Sequence, residues 1–469
     1  MILPFKIQLR TLSCAYLAAL MGLAWGGEAI SVGAGEDAGA TFQPDPAKVS
    51  EKTDSHASPE WWNLQWQATN VTQWHPSFTS PYRGANSLNP RNAGAETTDV
   101  TAFLGFRLPE GTQFYLNPEV DQGFGLSDTL GVAGFPSGEA YKVGSHVPYL
   151  RLPRAFFRHV FDLGGGTQDV ESGPNQLAGG YPVDNITVTI GKFSPVDVFD
   201  TNTYAHDPRA DFMNWSVIES GAYDYAADSW GYTEGGAIEW NQSFWTLRGG
   251  FFALSTEPNS KLVDQGFKQQ EWVGEAEFRQ NWFDLPGKVK FLAFTNIAYM
   301  GSYTDAIRQA VLTGVVPDTA TVRQYTSRSG FAINLEQGLS ESTGVFARFS
   351  SNQGNKEAYD FTEINQSIAS GVSVKGISWG RKDDTFGVAV VGNVLSKDAR
   401  AYFARGGNGI LIGDGNLQYG PEKILEAYYA ARLAKFLTVG VDYQYVINPA
   451  YNVDRGPVSI FGFRVHAEF

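Results

Sequence analysis

The 469-residue chain holds one cysteine, Cys14, and four methionines. A single cysteine excludes an internal disulfide framework and a cysteine-ligated metal centre. Positive charge is also short. Against 49 Asp and Glu stand 35 Lys and Arg, a formal charge of −14, which argues against nucleic acid as a partner. Six histidines lie scattered at 56, 75, 146, 159, 206 and 466. No two have the helical or turn spacing of a metal site, so neither metal nor cofactor is expected. No local pairing of nucleophile and base suggests an enzyme. Long apolar runs are missing as well. Past residue 29 no stretch nears the roughly 18 apolar residues of a spanning helix, which excludes a helical membrane protein.

What is present points to the membrane by another route. Aromatics make up 14% of the residues and there are 52 glycines, a composition suited to a barrel with aromatic girdles at both interfaces. At the N-terminus Lys6 and Arg10 precede an apolar stretch from Leu12 to Trp25, followed by Gly27-Glu28-Ala29. That order reads as a secretory leader over 1–29, with Cys14 inside it. Residues 30–61 are then expected as a periplasmic N-terminal segment and 62–469 as a barrel. In the final segment Phe461, Phe463, Val465, Ala467 and Phe469 fall on one face; Gly462, Arg464, His466 and Glu468 fall on the other. Successive strand side chains point to opposite sides, so one face suits hydrocarbon and the other a wet lumen.

The same alternation recurs. Strands are predicted at 62–75, 100–108, 112–123, 150–164, 185–194, 231–241, 244–255, 271–283, 288–303, 327–340, 343–354, 366–380, 384–396, 422–434, 437–448 and 458–469. Short and long gaps alternate between them. Gln242-Ser243 and Glu341-Ser342 are short; 124–149, 195–230 and 397–421 are long. A sandwich has no reason to sort loops by parity. A transmembrane antiparallel β-barrel of about 16 strands does, with short periplasmic turns and long external loops. Residues 165–184 break the rule, being long and Gly-rich on the turn side. They form either an elaborated turn or an unrecognised strand pair.

Several motifs resemble one family. Asn448-Pro449-Ala450-Tyr451-Asn452-Val453-Asp454-Arg455-Gly456-Pro457, followed by the strand to Phe469, is similar to the C-terminal signature of the carbohydrate-selective porins, the OprB family. Trp379-Gly380-Arg381-Lys382-Asp383-Asp384 resembles its internal W-x-R-x-x-D turn. Gly191-Lys192-Phe193-Ser194-Pro195 resembles its segment before a large third loop, and Glu119-Val120-Asp121 its early acidic strand end. The family's W-G-G-x-R element is missing near the start, where Trp61-Trp62-Asn63-Leu64 stands. The resemblance implies an outer-membrane channel for passive diffusion of mono- or small oligosaccharides. It also implies Phe469 as the barrel-assembly signal, with outer-membrane lipid, lipopolysaccharide and the barrel-assembly machinery as partners. A general or organic-solute porin remains the alternative, and an outer-membrane enzyme a more distant one, since fold does not fix substrate.

A sugar path needs hydrogen-bonding walls and aromatic faces that bind weakly enough to release. Lumen-facing strand candidates are Arg107, Glu119, Asp121, Arg279, Arg348, Asp442, Arg464 and Glu468. The segment 196–232 is the candidate constriction, with Asp197, Asp200, His206, Asp207, Arg209, Asp211, Trp230 and Tyr232. It either folds into the lumen or closes the channel from outside as a lid. Arg151, Arg154 and Arg158 lie at odd and even offsets, so strict alternation cannot put all three on one face.

Overall fold

The computed structural model describes residues 59–140, 144–282 and 284–469. The leader predicted at 1–29 and the following segment to residue 58 lie outside the described residues. Sixteen strands follow in order: β1 (Trp62–His75), β2 (Ala93–Arg107), β3 (Thr112–Gly123), β4 (Ser145–Val170), β5 (Gly179–Phe193), β6 (Thr233–Gln242), β7 (Trp245–Ala253), β8 (Gln270–Trp282), β9 (Leu285–Gly301), β10 (Arg323–Ser340), β11 (Thr343–Asn352), β12 (Gln366–Gly376), β13 (Arg381–Val394), β14 (Glu422–Ala434), β15 (Leu437–Ile447) and β16 (Val458–Glu468). Each pairs with its chain neighbours, and β1 pairs antiparallel with β16 to close the barrel. Closure is required because lipid offers no partner for an unpaired backbone N–H or C=O.

Alternation sets the two faces. On β8, Glu271, Glu275 and Glu277 are buried in the lumen while Trp272 and Phe278 face out. On β14, Glu422 and Glu426 turn in and Leu425 turns out. Outward aromatics gather near the strand ends. Trp240 and Trp245 meet edge-on at 5.2 Å on the turn side; Tyr299 and Tyr325 lie 5.4 Å apart on the loop side. At the turn side the Phe469 ring stacks on Phe436 at 5.1 Å, and its backbone exchanges two hydrogen bonds with Trp66 of β1, at 2.8 and 2.9 Å.

The predicted strands all exist, with shifted edges. The largest differences are at β2, which starts at Ala93, and at β4 and β5, which run into the segment 165–184. No additional strand pair lies there: β4 and β5 extend as one hairpin, leaving a turn at 171–178. Among the described residues the α-helices lie in the external loops: α1 (Trp215–Ile218), α2 (Tyr303–Thr313) and α3 (Lys397–Phe403). Ser302 and Ser396 cap the last two by accepting from the N–H groups of Asp305 and Ala399. Three external loops meet inside the mouth. Phe135, Trp215, Phe361 and Tyr225 form a buried cluster with ring centroids 4.2–6.0 Å apart.

Candidate functional site

The 194–232 loop lies inside the barrel. It leaves β5 through a capping box, in which the Ser194 N–H donates to the Asp197 carboxylate at 3.0 Å. From there it is hydrogen-bonded, stretch after stretch, to inward-facing groups on the far wall. Glu275 accepts from the Asp200 N–H at 2.8 Å, and Glu336 from the Thr203 N–H at 2.7 Å. Arg348 donates to the carbonyls of Val217 (2.7 Å), Ala205 (2.8 Å) and Asp200 (3.2 Å). Arg464 donates to those of Pro208 (2.6 Å), Ala210 (2.8 Å) and Asp211 (2.8 Å). Glu271 accepts from the Ala226 N–H at 2.9 Å. Asp224 holds the 353–365 loop inward by accepting from the N–H groups of Tyr359 and Phe361, both at 2.7 Å, and it also accepts from Arg328 of β10.

This docking separates two groups of predicted site residues. Arg348 and Arg464 do not line open water; they sit behind the loop and hold it, and Asp200 of the loop is buried 3.6 Å from Arg348. Asp200 accepts from Ser220 Oγ at 2.8 Å and from Asn334 at 2.9 Å. Arg107 is also displaced from the expected path. It lies at the periplasmic end and donates to the Glu60 carbonyl at 2.9 Å and to that of Ala178 at 3.1 Å. Strand parity shows which side chains point inward, but not which of them a loop then covers.

Glu119, Asp121, Asp197, Arg209, Trp230 and Tyr232 gather at the wall formed by β2 to β5, whereas Arg279, Asp442 and Glu468 lie elsewhere beside Glu277, Gln444 and Arg432. Arg151 donates to Glu119 at 2.6 Å and also pairs with Asp121. Arg154 grips Asp197 with both forks, at 2.5 and 2.7 Å. Arg209, from the loop, reaches Glu139 at 3.3 Å, Asp207 at 3.7 Å and Asp99 at 3.8 Å. Rings lie against these cations. The Arg151 guanidinium sits 5.2 Å from the Trp230 ring and 5.3 Å from Tyr232, and that of Arg154 5.0 Å from Tyr232. The Trp230 indole N–H donates to the Tyr149 hydroxyl at 3.0 Å. Solvent reaches the cations of this wall more than it reaches the groups that hold the loop. Side-chain exposure is 9% for Arg151 and Arg154, 14% for Asp197 and 33% for Lys192. For Arg348, Asp200, Arg328 and Asp224 it is 0–1%.

Arg151, Arg154 and Arg158 all face inward, contrary to strict alternation. The pairing steps from Asn117–Arg154 to Glu119–Arg151, so two residues of β3 oppose three of β4. The extra residue is a bulge at Leu152-Pro153. A proline inside a strand marks such a bulge, because it cannot donate to the ladder. That signal was legible in the sequence. Asp99, Glu139 and Tyr149 were not singled out; Lys192, from the motif before the loop, approaches Asp228 of the loop to 3.6 Å.

Within the loop, burial and the nearby Arg348 charge bring the His206 imidazole down to about 4, so it is neutral at pH 7. Burial and the Asp207 charge push the Asp211 carboxyl up to about 6. Burial and Asp200 raise Glu219 well above the usual carboxylate range. Among the described residues no group of His, Cys, Asp and Glu is arranged to hold a metal ion.

Comparison with known proteins agrees with this geometry. The family model of the carbohydrate-selective porins, OprB family, matches residues 85–469. Porin AaxA of Chlamydia abortus is 20% identical over 370 residues, spanning 76% of this chain and 70% of that protein. The high-pH structure of Pseudomonas putida OprB shares the fold with a TM-score of 0.66 at 14% identity, covering 87% of this chain and 94% of that one.

Proposed function

This chain belongs to the carbohydrate-selective porins of the OprB family and is a channel of the bacterial outer membrane, and we propose that sugars cross it along the wall formed by β2 to β5. The observation that carries the proposal is the row of Arg151 and Arg154. The Arg151 guanidinium lies on the rings of Trp230 and Tyr232 and that of Arg154 on Tyr232, and the two are paired to Glu119, Asp121 and Asp197. A sugar presents hydroxyls around its rim and a weakly apolar ring face. Forked cations and carboxylates exchange hydrogen bonds with the rim, while Trp230 offers a surface for the face. Because Arg151 and Arg154 are already paired to carboxylates, a sugar must replace existing bonds to reach them. Binding stays weak, as passage requires. Asp207 and Arg209 border this lane, whereas His206 and Asp211 lie beside Arg348 and Arg464.

Export through the leader at 1–29, assembly by the barrel-assembly machinery through Phe469, and contact of the outward aromatics with lipid and lipopolysaccharide complete the reading. The test is block of ionic current in planar bilayers by a panel of mono- and oligosaccharides. Native protein should show sugar block, and Trp230→Ala and Arg154→Ala should each weaken it while the barrel stays folded. Block by organic acids with none by any sugar would instead favour the organic-solute reading.

A further inference from the structure

The segment 165–184 has a structure that an ordinary turn does not need. Pairing of β4 with β3 ends at His159, and pairing of β5 with β6 ends at Asn185. Beyond those points the β4–β5 hairpin stands clear of the sheet, and residues 161–167 are exposed. Gly164, Gly165 and Gly166 follow with φ of +97°, +76° and +94°, and the register shifts on both sides of Gly164. Three successive residues in a region that side chains avoid make a bend only glycine supplies readily. At Gly165 a Cβ would also stand 2.6 Å from the Asp184 carboxyl carbon.

Past the bend the turn 171–178 returns into the lumen. Asn63, facing in from β1, donates to the Gln176 carbonyl at 2.7 Å and to Ser172 Oγ at 3.0 Å. Asn117 of β3 donates to Asn175 Oδ1 at 2.8 Å, and Arg158 of β4 to the Asn175 carbonyl at 2.9 Å. Leu177 is fully buried, and a Cβ on Gly105 would lie 3.2 Å from its methyl group. Arg158 is the next member of the arginine row. It lies four residues along β4 from Arg154, roughly 13 Å towards the periplasm at strand rise. A turn bonded to Arg158, Asn117 and Asn63 therefore lies inside the periplasmic mouth against the wall formed by β1 to β4, beneath that row.

We propose that residues 171–178 form an exit-side constriction in series with the arginine lane, limiting the size of solute released to the periplasm. This rests on the lane being the sugar path. The pairing of Val170 with Gly179 allows 171–178 to be replaced by a two-residue Asn-Gly turn. Block by an oligosaccharide is then measured from each side of a bilayer holding oriented channels. Native channels should show slower block from the periplasmic side than from the external side. The shortened variant should lose that asymmetry and gain conductance. Equal block from both sides of the native channel, with unchanged conductance in the variant, would overturn the constriction. No block of the native channel from either side, with conductance still raised in the variant, would instead overturn the lane and keep the constriction. Should the shortened variant fail to fold, Asn175→Cys serves in its place. A charged methanethiosulfonate added on the periplasmic side should lower its current, and an unchanged current would overturn the proposal.

Discussion

Replacing Arg348 by methionine tests how the loop is held. Methionine keeps much of the length and removes the guanidinium. The carbonyls of Val217, Ala205 and Asp200 then lose their donors. An unpaired buried acceptor costs about 1–3 kcal/mol. With lumen water able to reach some of the three, the loss is about 3–6 kcal/mol of loop docking. The barrel's strand ladders are untouched, so heat-modifiable mobility on gels should match the native protein. The loop keeps its bonds to Glu275, Glu336 and Arg464, so Arg348→Met alone should raise open-channel noise and quicken hydrogen exchange over 200–217. Adding Arg464→Met strips three more carbonyls. Conductance should then rise and sugar block weaken. If the double variant shows native conductance, noise and exchange, the loop is held elsewhere and the docking argument fails.

Deleting Phe469, or replacing it with Asp, should lower the yield of folded protein in outer membranes, read by heat modifiability; unchanged yield over several expression levels would count against an assembly role. Asp211 titrates at about 6, so it is largely charged at pH 7 and takes up a proton as pH falls through that value. Cation preference, read from reversal potentials, should therefore fall between pH 7 and 5, and Asp211→Asn should remove that step. Val390 faces lipid midway along β13. Val390→Arg should destabilise the folded barrel by about 2–4 kcal/mol in a reversible urea titration.

Strands were legible because their signal is local. The edges of β1, β3 and β14 coincide with the alternation in the sequence. The early part of β2, Ala93 to Asp99, carries little alternation of its own and is a strand because β1 runs opposite it. The site was legible in part. Glu119, Asp121, Asp197, Arg209, Trp230 and Tyr232 come together on one wall. Arg348 and Arg464 carry the same inward parity, yet they serve the loop. That difference depends on where a 39-residue loop docks across six other strands, a non-local event that spacing does not encode. Arg107 was misplaced for a related reason: its partner turn, 171–178, is itself folded inward.

The bulge at Leu152-Pro153 behaves as a phase shift in a period-two code. Below it, even-numbered residues of β4 face the lumen; above it, odd-numbered ones do. Excising Pro153 would restore a single phase along the strand. Leu150 and Leu152 would keep their lipid face and Tyr149 and Arg151 their lumen face, whereas pairing in unbroken alternation with Pro153 retained would turn the leucines toward water and Tyr149 and Arg151 toward hydrocarbon, with no side chain changed. The charge pattern of this wall is therefore written as much in residue count as in residue identity. Aligned relatives that differ by one residue here should be compared by phase before they are compared by chemistry.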